Sequence, residues 1–370
     1  MKLLAFPAGV LPAAAATIAA ACSSNDEGSS TSPERPDTSA ESGRRSDSRF
    51  DAGFGKSEEG GLVDAGAETR PPSPRGDGHI TMRLPDGHWH RLLAREGSSP
   101  EDLTSLMDSL SNGQDSFVNV SKNGDWLVAL GSRFGCVNGG CLGRMVSDLL
   151  NGELVTPSGR SINALGGRPA VSAGGDVIVY SARGPHALDL YAVKRVGSTW
   201  SAPVLLTGSS PFAYHHDVAL AWDGTRAVFD CGGDLYGVPP TSLCEASTDG
   251  SEFNEVLAPS DGPDHGSSHA LHHPDYTPEG DVVFEADWPA EQVWKVLRGS
   301  RSPVLISPAD QGDDNSPCVL PDGRIVSLWL GRPGNRAGAH EIKVMRSDGT
   351  QSAMILTGID VVDVGIGCGN

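Results

Sequence analysis

A tight turn that contains glycine, followed by an apolar run, recurs five times in the second two-thirds of this 370-residue chain. Its glycines are Gly124, Gly175, Gly224, Gly280 and Gly323, which lie 51, 49, 56 and 43 residues apart. A period of about 50 residues that begins at a hairpin signal is typical of small sheets arranged in a closed array. The repeat therefore predicts a β-propeller.

Each repeat can be aligned with four strands, A to D, in which the glycine turn joins A to B. The predicted A strands are 116–120, 169–172, 217–221, 274–277 and 316–320, and the predicted B strands are 125–131, 176–182, 225–231, 281–286 and 324–330. Several B strands are continuous apolar runs, as expected of strands that are buried on both faces between neighbouring blades. These five repeats supply five complete blades.

The two ends of the domain predict a sixth blade. Residues 79–89 match the C–turn–D hairpin of the last repeat, and residues 361–366 resemble an A strand with nothing after it. Together they would close the ring and remove its sheet edges. A short helix over 100–110, with Ser99 as N-cap, is predicted to lead into blade 1. The predicted fold class is all-β, a six-bladed β-propeller over 78–370 that is closed by an N-terminal hairpin and a C-terminal strand.

The first 21 residues have the composition of a secretory signal peptide, because a short charged start is followed by an apolar stretch rich in alanine. The boundary before Cys22 resembles a bacterial lipobox, which implies a lipid on Cys22 and membrane attachment through it. The alternative is ordinary cleavage after Ala21. Residues 22–77 are rich in Ser, Gly, Pro and charged residues, so we predict a disordered tether.

The formal net charge of −19 argues against nucleic acid as a partner, because a basic surface is needed to neutralise phosphates. It also argues against attachment to anionic lipid by charge. We expect a monomer that is lipid-anchored in the cell envelope, at the outer membrane, in the periplasm or at the cell surface.

Six cysteines remain besides Cys22, and an even number in an exported chain indicates three disulfides. The repeat alignment places one pair in neighbouring A strands and two pairs across single B–C loops. The predicted bonds are Cys318–Cys368, Cys136–Cys141 and Cys231–Cys244. Metal binding by Cys136 and Cys141 is the alternative, although two cysteines without a second pair are a weak zinc signal.

The last complete repeat identifies a family. Residues 317–325 read Pro-x-x-x-Pro-Asp-Gly-x-Ile, and the following C strand ends in Ser-Asp-Gly. This pattern resembles TolB-type propeller repeats, and the resemblance extends over about residues 78–370. Repeats 1 to 3 depart from it, because they lack the proline in the turn. The resemblance implies a periplasmic protein that binds partner proteins and is not enzymatic as a class.

Strand order places the D–A and B–C loops on one face of the ring and the A–B and C–D loops on the other. The longer, cysteine-containing loops fall on the first face, which is where binding residues are expected. Imidazoles and carboxylates that converge on the channel there would suit a divalent metal. The candidate metal ligands are His216, His269, His272 and His273, and the candidate ligand-facing residues are His215, Asp217, Asp314 and Asn315.

Two functions follow from this face. The first is a binding or scaffold module for an envelope protein or a glycan. The second is a metal-dependent enzyme that degrades polysaccharide, because the channel histidines distantly resemble those of lyases that act on pectate fragments. Polar channel lining that binds water is the simpler explanation of the same histidines. No nucleophile elbow, phosphate loop or zinc-protease helix is present, so no catalytic residue is assigned.

Overall fold

A computed structural model describes residues 77–136, 140–159, 162–234, 237–288, 290–307, 312–331 and 339–370. The predicted signal peptide, the predicted lipidation site Cys22 and the predicted tether up to residue 76 lie outside the described residues, as do most of the B–C loop of blade 5 and the centre of the Cys136–Cys141 loop. Within the described part, no helix has both the length and the apolar character needed to cross a membrane.

The described residues form six antiparallel sheets. The domain begins with β1 (His79–Arg83), β2 (Trp89–Leu93), β3 (Glu101–Asp102) and helix α1 (Leu103–Leu110). Blade 1 contains β4 (Asp115–Val120), β5 (Trp126–Gly131), β6 (Cys141–Val146) and β7 (Gly152–Leu154). Blade 2 contains β8 (Ala170–Val171), β9 (Val177–Ala182), β10 (Asp189–Val196), β11 (Thr199–Trp200) and β12 (Val204–Leu205).

The second half repeats the same order. Blade 3 contains β13 (His215–Leu220), β14 (Arg226–Gly232), β15 (Thr241–Ser247) and β16 (Phe253–Leu257). Blade 4 contains β17 (Leu271–Tyr276), β18 (Val282–Ala286), β19 (Gln292–Val296) and β20 (Val304–Leu305). Blade 5 contains β21 (Gly312–Val319), β22 (Ile325–Gly331), β23 (His340–Met345) and β24 (Ala353–Leu356), and β25 (Val362–Gly369) follows. Short 3-10 turns lie at Pro157–Gly159 and Pro259–Asp261.

The A strands line the axis and close the ring. They contact one another in the order β4, β8, β13, β17, β21, β25 and back to β4. Strand β25 pairs with β1, so the two ends of the domain share blade 6. The predicted six-bladed propeller, closed by an N-terminal hairpin and a C-terminal strand, is confirmed.

The position of the hairpin within blade 6 differs from the prediction. The sheet order β25–β1–β2–β3 makes the hairpin strands B and C, not C and D. The outer D position is taken by Glu101 and Asp102, which pair with Arg91 and His90. These two residues carry no strand signal in the sequence, and the Pro-Asp-Gly turn of the hairpin looks the same at either position.

Helix α1 also begins later than predicted, because Asp102 and not Ser99 is its N-cap. The Asp102 carboxylate accepts a hydrogen bond from the backbone N–H of Ser105 at 2.9 Å. A carboxylate at this position satisfies an otherwise unpaired amide and complements the helix dipole. Residues before Asp102 are free to pair in the sheet, so the helix is one turn shorter than the pattern suggests.

The apolar core of the described residues is divided among six clusters, and each cluster lies between two neighbouring blades. Between blades 5 and 6, for example, Ile80 and Met82 of β1 pack with Val326 and Leu328 of β22. All four side chains are fully buried. Because both faces of each middle strand are covered, B strands are continuous apolar runs, as their sequences indicate.

The turn glycines explain why the repeat is visible in the sequence. All five have positive φ, between 68° and 87°, a region that glycine enters without steric cost. In each turn the glycine N–H donates to the carbonyl three residues earlier. The same backbone conformation therefore recurs in every complete blade and selects the same residue.

The three predicted disulfides are present. Cys136 is bonded to Cys141 and Cys231 to Cys244, each across one B–C connection, while Cys318 of β21 is bonded to Cys368 of β25. The third bond joins the innermost strands of blades 5 and 6, where the ring closes. Metal binding by Cys136 and Cys141 is thereby excluded in this oxidised form.

Candidate functional site

Three neighbouring A strands carry the same irregularity near the channel. Strands β13, β17 and β21 each shift register at a β-bulge. In each bulge the residue seven positions before the turn glycine has positive φ: Asp217 at 41°, His273 at 50° and Ser316 at 46°. This conformation is uncommon for residues other than glycine. The bulges redirect the three side chains, so that they meet at the D–A/B–C end of the channel.

His273 is the centre of this meeting point. Its Nδ1 lies 3.0 Å from Glu285 Oε2 and 3.3 Å from Ser316 Oγ, and its Nε2 lies 3.6 Å from Asp217 Oδ2. Burial alone would lower the pKa of His273, but the hydrogen bond to Glu285 and the nearby carboxylates raise it to about 10. The imidazole is therefore protonated at neutral pH.

A second imidazole–carboxylate pair lies beside the first. His272 Nδ1 is 2.9 Å from Asp230 Oδ2, and Asp230 is almost completely buried. Against the opposing effect of burial, this contact raises the pKa of His272 and lowers that of Asp230. The other carboxylate oxygen, Asp230 Oδ1, has no hydrogen-bond partner within the described residues. His216 lies opposite Asp230, on the neighbouring strand of blade 3. The Nε2 of His216 is 2.9 Å from the backbone oxygen of Asp234.

Blades 4 to 6 add more carboxylates. Asn315 Nδ2 donates to Glu291 at 3.0 Å, and Ser316 Oγ donates to Asp363 at 2.9 Å. Burial and the surrounding negative charges raise the pKa of Glu291. Asn315 Oδ1 has no partner within the described residues. We call the whole group the mouth cluster: His216, Asp217, Asp230, His272, His273, Glu285, Glu291, Asn315, Ser316 and Asp363.

A buried ion pair crosses the A–B end of the channel. Lys122, in the A–B turn of blade 1, forms an ion pair with Asp275 of β17 on the opposite side of the ring. Lys122 also donates to the backbone oxygen of Val319 at 3.1 Å, and Asp275 accepts from the N–H of Val319 at 2.7 Å. Both charged side chains are buried. This pair forms a cross-brace between blades 1 and 4, and it leaves the D–A/B–C face as the open end.

The structure brings together five of the eight residues predicted from the sequence: His216, His272, His273, Asp217 and Asn315. His269 lies apart from them, where its ring nitrogens contact Asp264 at 2.7 Å and Asp287 at 2.9 Å. Across the described ranges, no three His, Cys, Asp or Glu side chains are placed to hold a metal ion. The metal hypothesis therefore gains no support from the geometry.

The prediction that His215 faces a ligand is wrong, because its side chain is fully buried. Its Nδ1 donates to the Leu188 carbonyl at 2.7 Å, and its Nε2 accepts from Ser210 Oγ at 2.8 Å. Burial lowers the pKa of His215 to about 4, so the ring is neutral. At a strand residue, alternation places the side chain on the blade face instead of towards the axis.

Asp314 is likewise a core residue and not a ligand-facing one. Its carboxylate accepts from Lys343 Nζ at 2.7 Å and from Ser327 Oγ at 2.8 Å, and it is fully buried inside blade 5. Sequence reasoning missed this pair, and it also missed Lys122 and Asp275. A lysine in a turn and an aspartate in a short strand give no signal, since such residues are ordinarily solvated.

Comparison with known proteins supports the fold. No family model and no curated protein matches the sequence. Among solved structures, TolB from Acinetobacter baumannii is 15% identical with a TM-score of 0.56, and the match covers 82% of this chain and 69% of that chain. Hydrazine synthase from Kuenenia stuttgartiensis is 13% identical with a TM-score of 0.51, and the match covers 77% of this chain and 46% of that chain.

At these identities the likeness concerns architecture and carries no activity from one protein to another. The described domain has six four- or five-stranded blades, an axis lined by A strands, and closure by both ends of the domain. This chain therefore has the fold of a TolB-type six-bladed β-propeller.

Proposed function

We propose that this chain is an envelope lipoprotein whose propeller binds a partner protein at the mouth cluster, with a cationic group of the partner as the anchor. The observation that carries the proposal is a pair of buried acceptors, Asp230 Oδ1 and Asn315 Oδ1, that receive no hydrogen bond from any residue the structure describes. An unpaired buried acceptor costs about 1–3 kcal/mol. An ammonium or guanidinium group that donates to these oxygens would remove that cost.

The charge of the mouth cluster favours the same class of partner. The cluster contains the carboxylates of Asp217, Asp230, Glu285, Glu291 and Asp363 against three imidazoles. The raised pKa of Glu291 reflects this excess, because neighbouring carboxylates make its own ionisation more difficult. A basic protein segment would relieve the repulsion, whereas an acidic glycan would add to it.

Access to the cluster supports binding from one side. The cross-brace of Lys122 and Asp275 closes the A–B end, so a partner would approach across the D–A/B–C face. The bonds Cys136–Cys141 and Cys231–Cys244 restrain loops on that face. Strand β1 starts at the A–B end, where His79 pairs with Gly369.

The alternative, a metal-dependent polysaccharide-degrading enzyme, has no observation in its favour. A histidine binds a metal through a neutral imidazole nitrogen, and binding to His273 would have to displace its proton. The interactions that raise the pKa of His273 to about 10 oppose that loss. Glu285 and Asp217, which would be the nearest acidic ligands, already contact His273.

Titration of the purified propeller with fluorescent peptides tests this proposal. An arginine-rich peptide should bind, a glutamate-rich peptide of the same length should not, and added salt should weaken binding. Glu291→Gln should reduce affinity about tenfold, since it removes one carboxylate from a partly desolvated site. Glu279→Gln is the matched control, because Glu279 is an exposed carboxylate in an A–B turn on the opposite face.

Equal affinity of the Glu291→Gln variant, or preferential binding of the acidic peptide, would contradict the mouth cluster as a cation-binding site. The anchor is tested separately. Labelled palmitate should be incorporated into the full chain and not into a Cys22→Ser variant. Labelling of both proteins, or of neither, would refute lipidation at Cys22 without affecting the binding proposal.

A further inference from the structure

Arg168 occupies an unusual position inside the channel, below the mouth cluster. It lies two residues before β8, and only 4% of the residue is exposed. Its backbone N–H donates to Asp217 Oδ1 at 3.1 Å. Among the described residues its guanidinium forms no ion pair, and its Nε has no hydrogen-bond partner. The guanidinium therefore brings a positive charge to the channel wall that none of the described ion pairs uses.

A cavity of about 20 Å³ lies beside this side chain on the ring axis. All six blades contribute to its wall, which includes Asn119, Lys122, Arg168, Asp275 and the bonded sulfurs of Cys318 and Cys368. A space of this size holds about one water molecule or one ion of similar size. A carboxylate or phosphate group is too large for it.

Around the cavity, some hydrogen-bond donors have no partner, whereas the acceptor side chain, Asp275, is fully engaged. Asp275 accepts from Lys122, from the N–H of Val319 and from the N–H of Tyr276. Its carboxylate is therefore already engaged by three donors. The Lys122 ammonium has three N–H donors. One donates to Asp275 and one to the Val319 carbonyl, so one remains available. Arg168 Nε, which has no hydrogen-bond partner among the described residues, adds to this surplus.

The charges have the same imbalance. The charged residues that line the cavity are two cations, Lys122 and Arg168, and one carboxylate, that of Asp275. Burial lowers the pKa of Lys122 and the charge of Arg168 lowers it further, although Asp275 opposes both effects. A buried charge without a partner is costly, and a lone water molecule would solvate it without neutralising it. One monovalent anion would balance the group.

We propose that this cavity is a binding site for a monatomic halide, chloride under ordinary conditions, held by the Arg168 guanidinium and the remaining Lys122 N–H. The proposal is independent of the partner-binding function, since the mouth cluster lies nearer the open end and is acidic. The bound ion would serve as a structural element of the channel. Its negative charge would offset the excess of positive charge that Lys122 and Arg168 have over Asp275.

Thermal unfolding of the purified propeller at constant ionic strength tests the site, with sodium chloride replaced stepwise by sodium gluconate. Gluconate is too large for the cavity. Because chloride would bind the folded state alone, the melting temperature should rise with chloride. Above the Kd, each tenfold increase in chloride should multiply the ratio of folded to unfolded protein about tenfold. Crystals soaked in bromide should show an anomalous peak beside Arg168.

Arg168→Met should remove the chloride dependence and should raise the melting temperature in gluconate, because it removes the unbalanced charge at similar volume. Arg95→Gln is the control, since Arg95 is exposed on blade 6, and it should keep the chloride response. A melting temperature of the wild-type protein that is independent of chloride would overturn the proposal. So would bromide-soaked crystals with only water in the cavity, a test that does not depend on whether the Arg168 variant folds.

Discussion

The cross-brace between Lys122 and Asp275 makes a quantitative prediction about stability. Both residues are at most 8% exposed, so neither charge can be fully rehydrated when its partner is removed. Removing one member of a buried ion pair costs about 3–5 kcal/mol, because the remaining charge is left without compensation. We therefore expect both single substitutions to lower the free energy of unfolding strongly, but not equally.

Asp275→Asn should be the more damaging change. It removes the negative charge that faces the Lys122 ammonium. That ammonium keeps its hydrogen bond to the Val319 carbonyl but still lies near the positive charge of Arg168. The cost should approach 5 kcal/mol. In Lys122→Met, the Asp275 carboxylate keeps two backbone donors, the N–H groups of Val319 at 2.7 Å and Tyr276 at 2.9 Å. That cost should be nearer 3 kcal/mol.

Guanidinium unfolding of the two single variants and the double variant, followed by tryptophan fluorescence, completes the cycle. The double variant should lose about 2–3 kcal/mol less than the two single losses added together, because neither member of the pair is left charged without the other. Additive losses, within about 0.5 kcal/mol, would show that the two groups do not interact across the channel. That result would refute the reasoning even if both single variants were unstable.

Three further predictions concern the turns, the ring closure and the mouth cluster. Gly323→Ala should lower the free energy of unfolding by about 1–2 kcal/mol, from its positive φ alone. Gly349→Ala should lower it by about 1–3 kcal/mol more in chemical unfolding, because its Cβ would lie 1.9 Å from a backbone oxygen of blade 4. Replacing Cys318 and Cys368 by serine should lower the free energy of unfolding by about 4 kcal/mol, because the disulfide closes a loop with a sequence separation of 50. An unchanged denaturation midpoint would refute this prediction. His273 should stabilise the fold fully below pH 6.5 and should lose that contribution as the pH rises through about 10, because its pKa is higher in the folded state than in the unfolded state. His273→Gln should abolish this part of the pH dependence of the unfolding free energy. The same dependence on pH in both proteins would contradict the prediction.

The sequence predicts this fold well wherever one local conformation is repeated. The turn glycines are visible because each blade needs the same positive φ, and the cysteine pairs follow once the strands are aligned. The hairpin of blade 6 could not be placed in the same way. Whether it forms strands B and C depends on Glu101 and Asp102, which add a fourth strand by pairing with the hairpin.

The site was harder to predict, for two physical reasons. The bulges put Asp217 and His273 at positive φ although neither is glycine, so no residue pattern marks them. The buried charges pair over long separations, as Lys122 does with Asp275, 153 residues away. Periodicity identifies positions that share a strand face, but it does not identify which charges meet across a ring.

The pairing of β25 with β1 has a consequence for the order in which the protein folds. Strand β25 is the inner strand of blade 6 and lies after every other strand in the chain. While a nascent chain is being synthesised or threaded across a membrane, blades 1 to 5 can form in order, but the ring must stay open until residues 362–369 have emerged. Until then Cys368 cannot reach Cys318, and the Arg168 cavity has no wall on its blade 6 side. A translocating chain would therefore acquire its channel, its closing disulfide and both proposed sites in one late step.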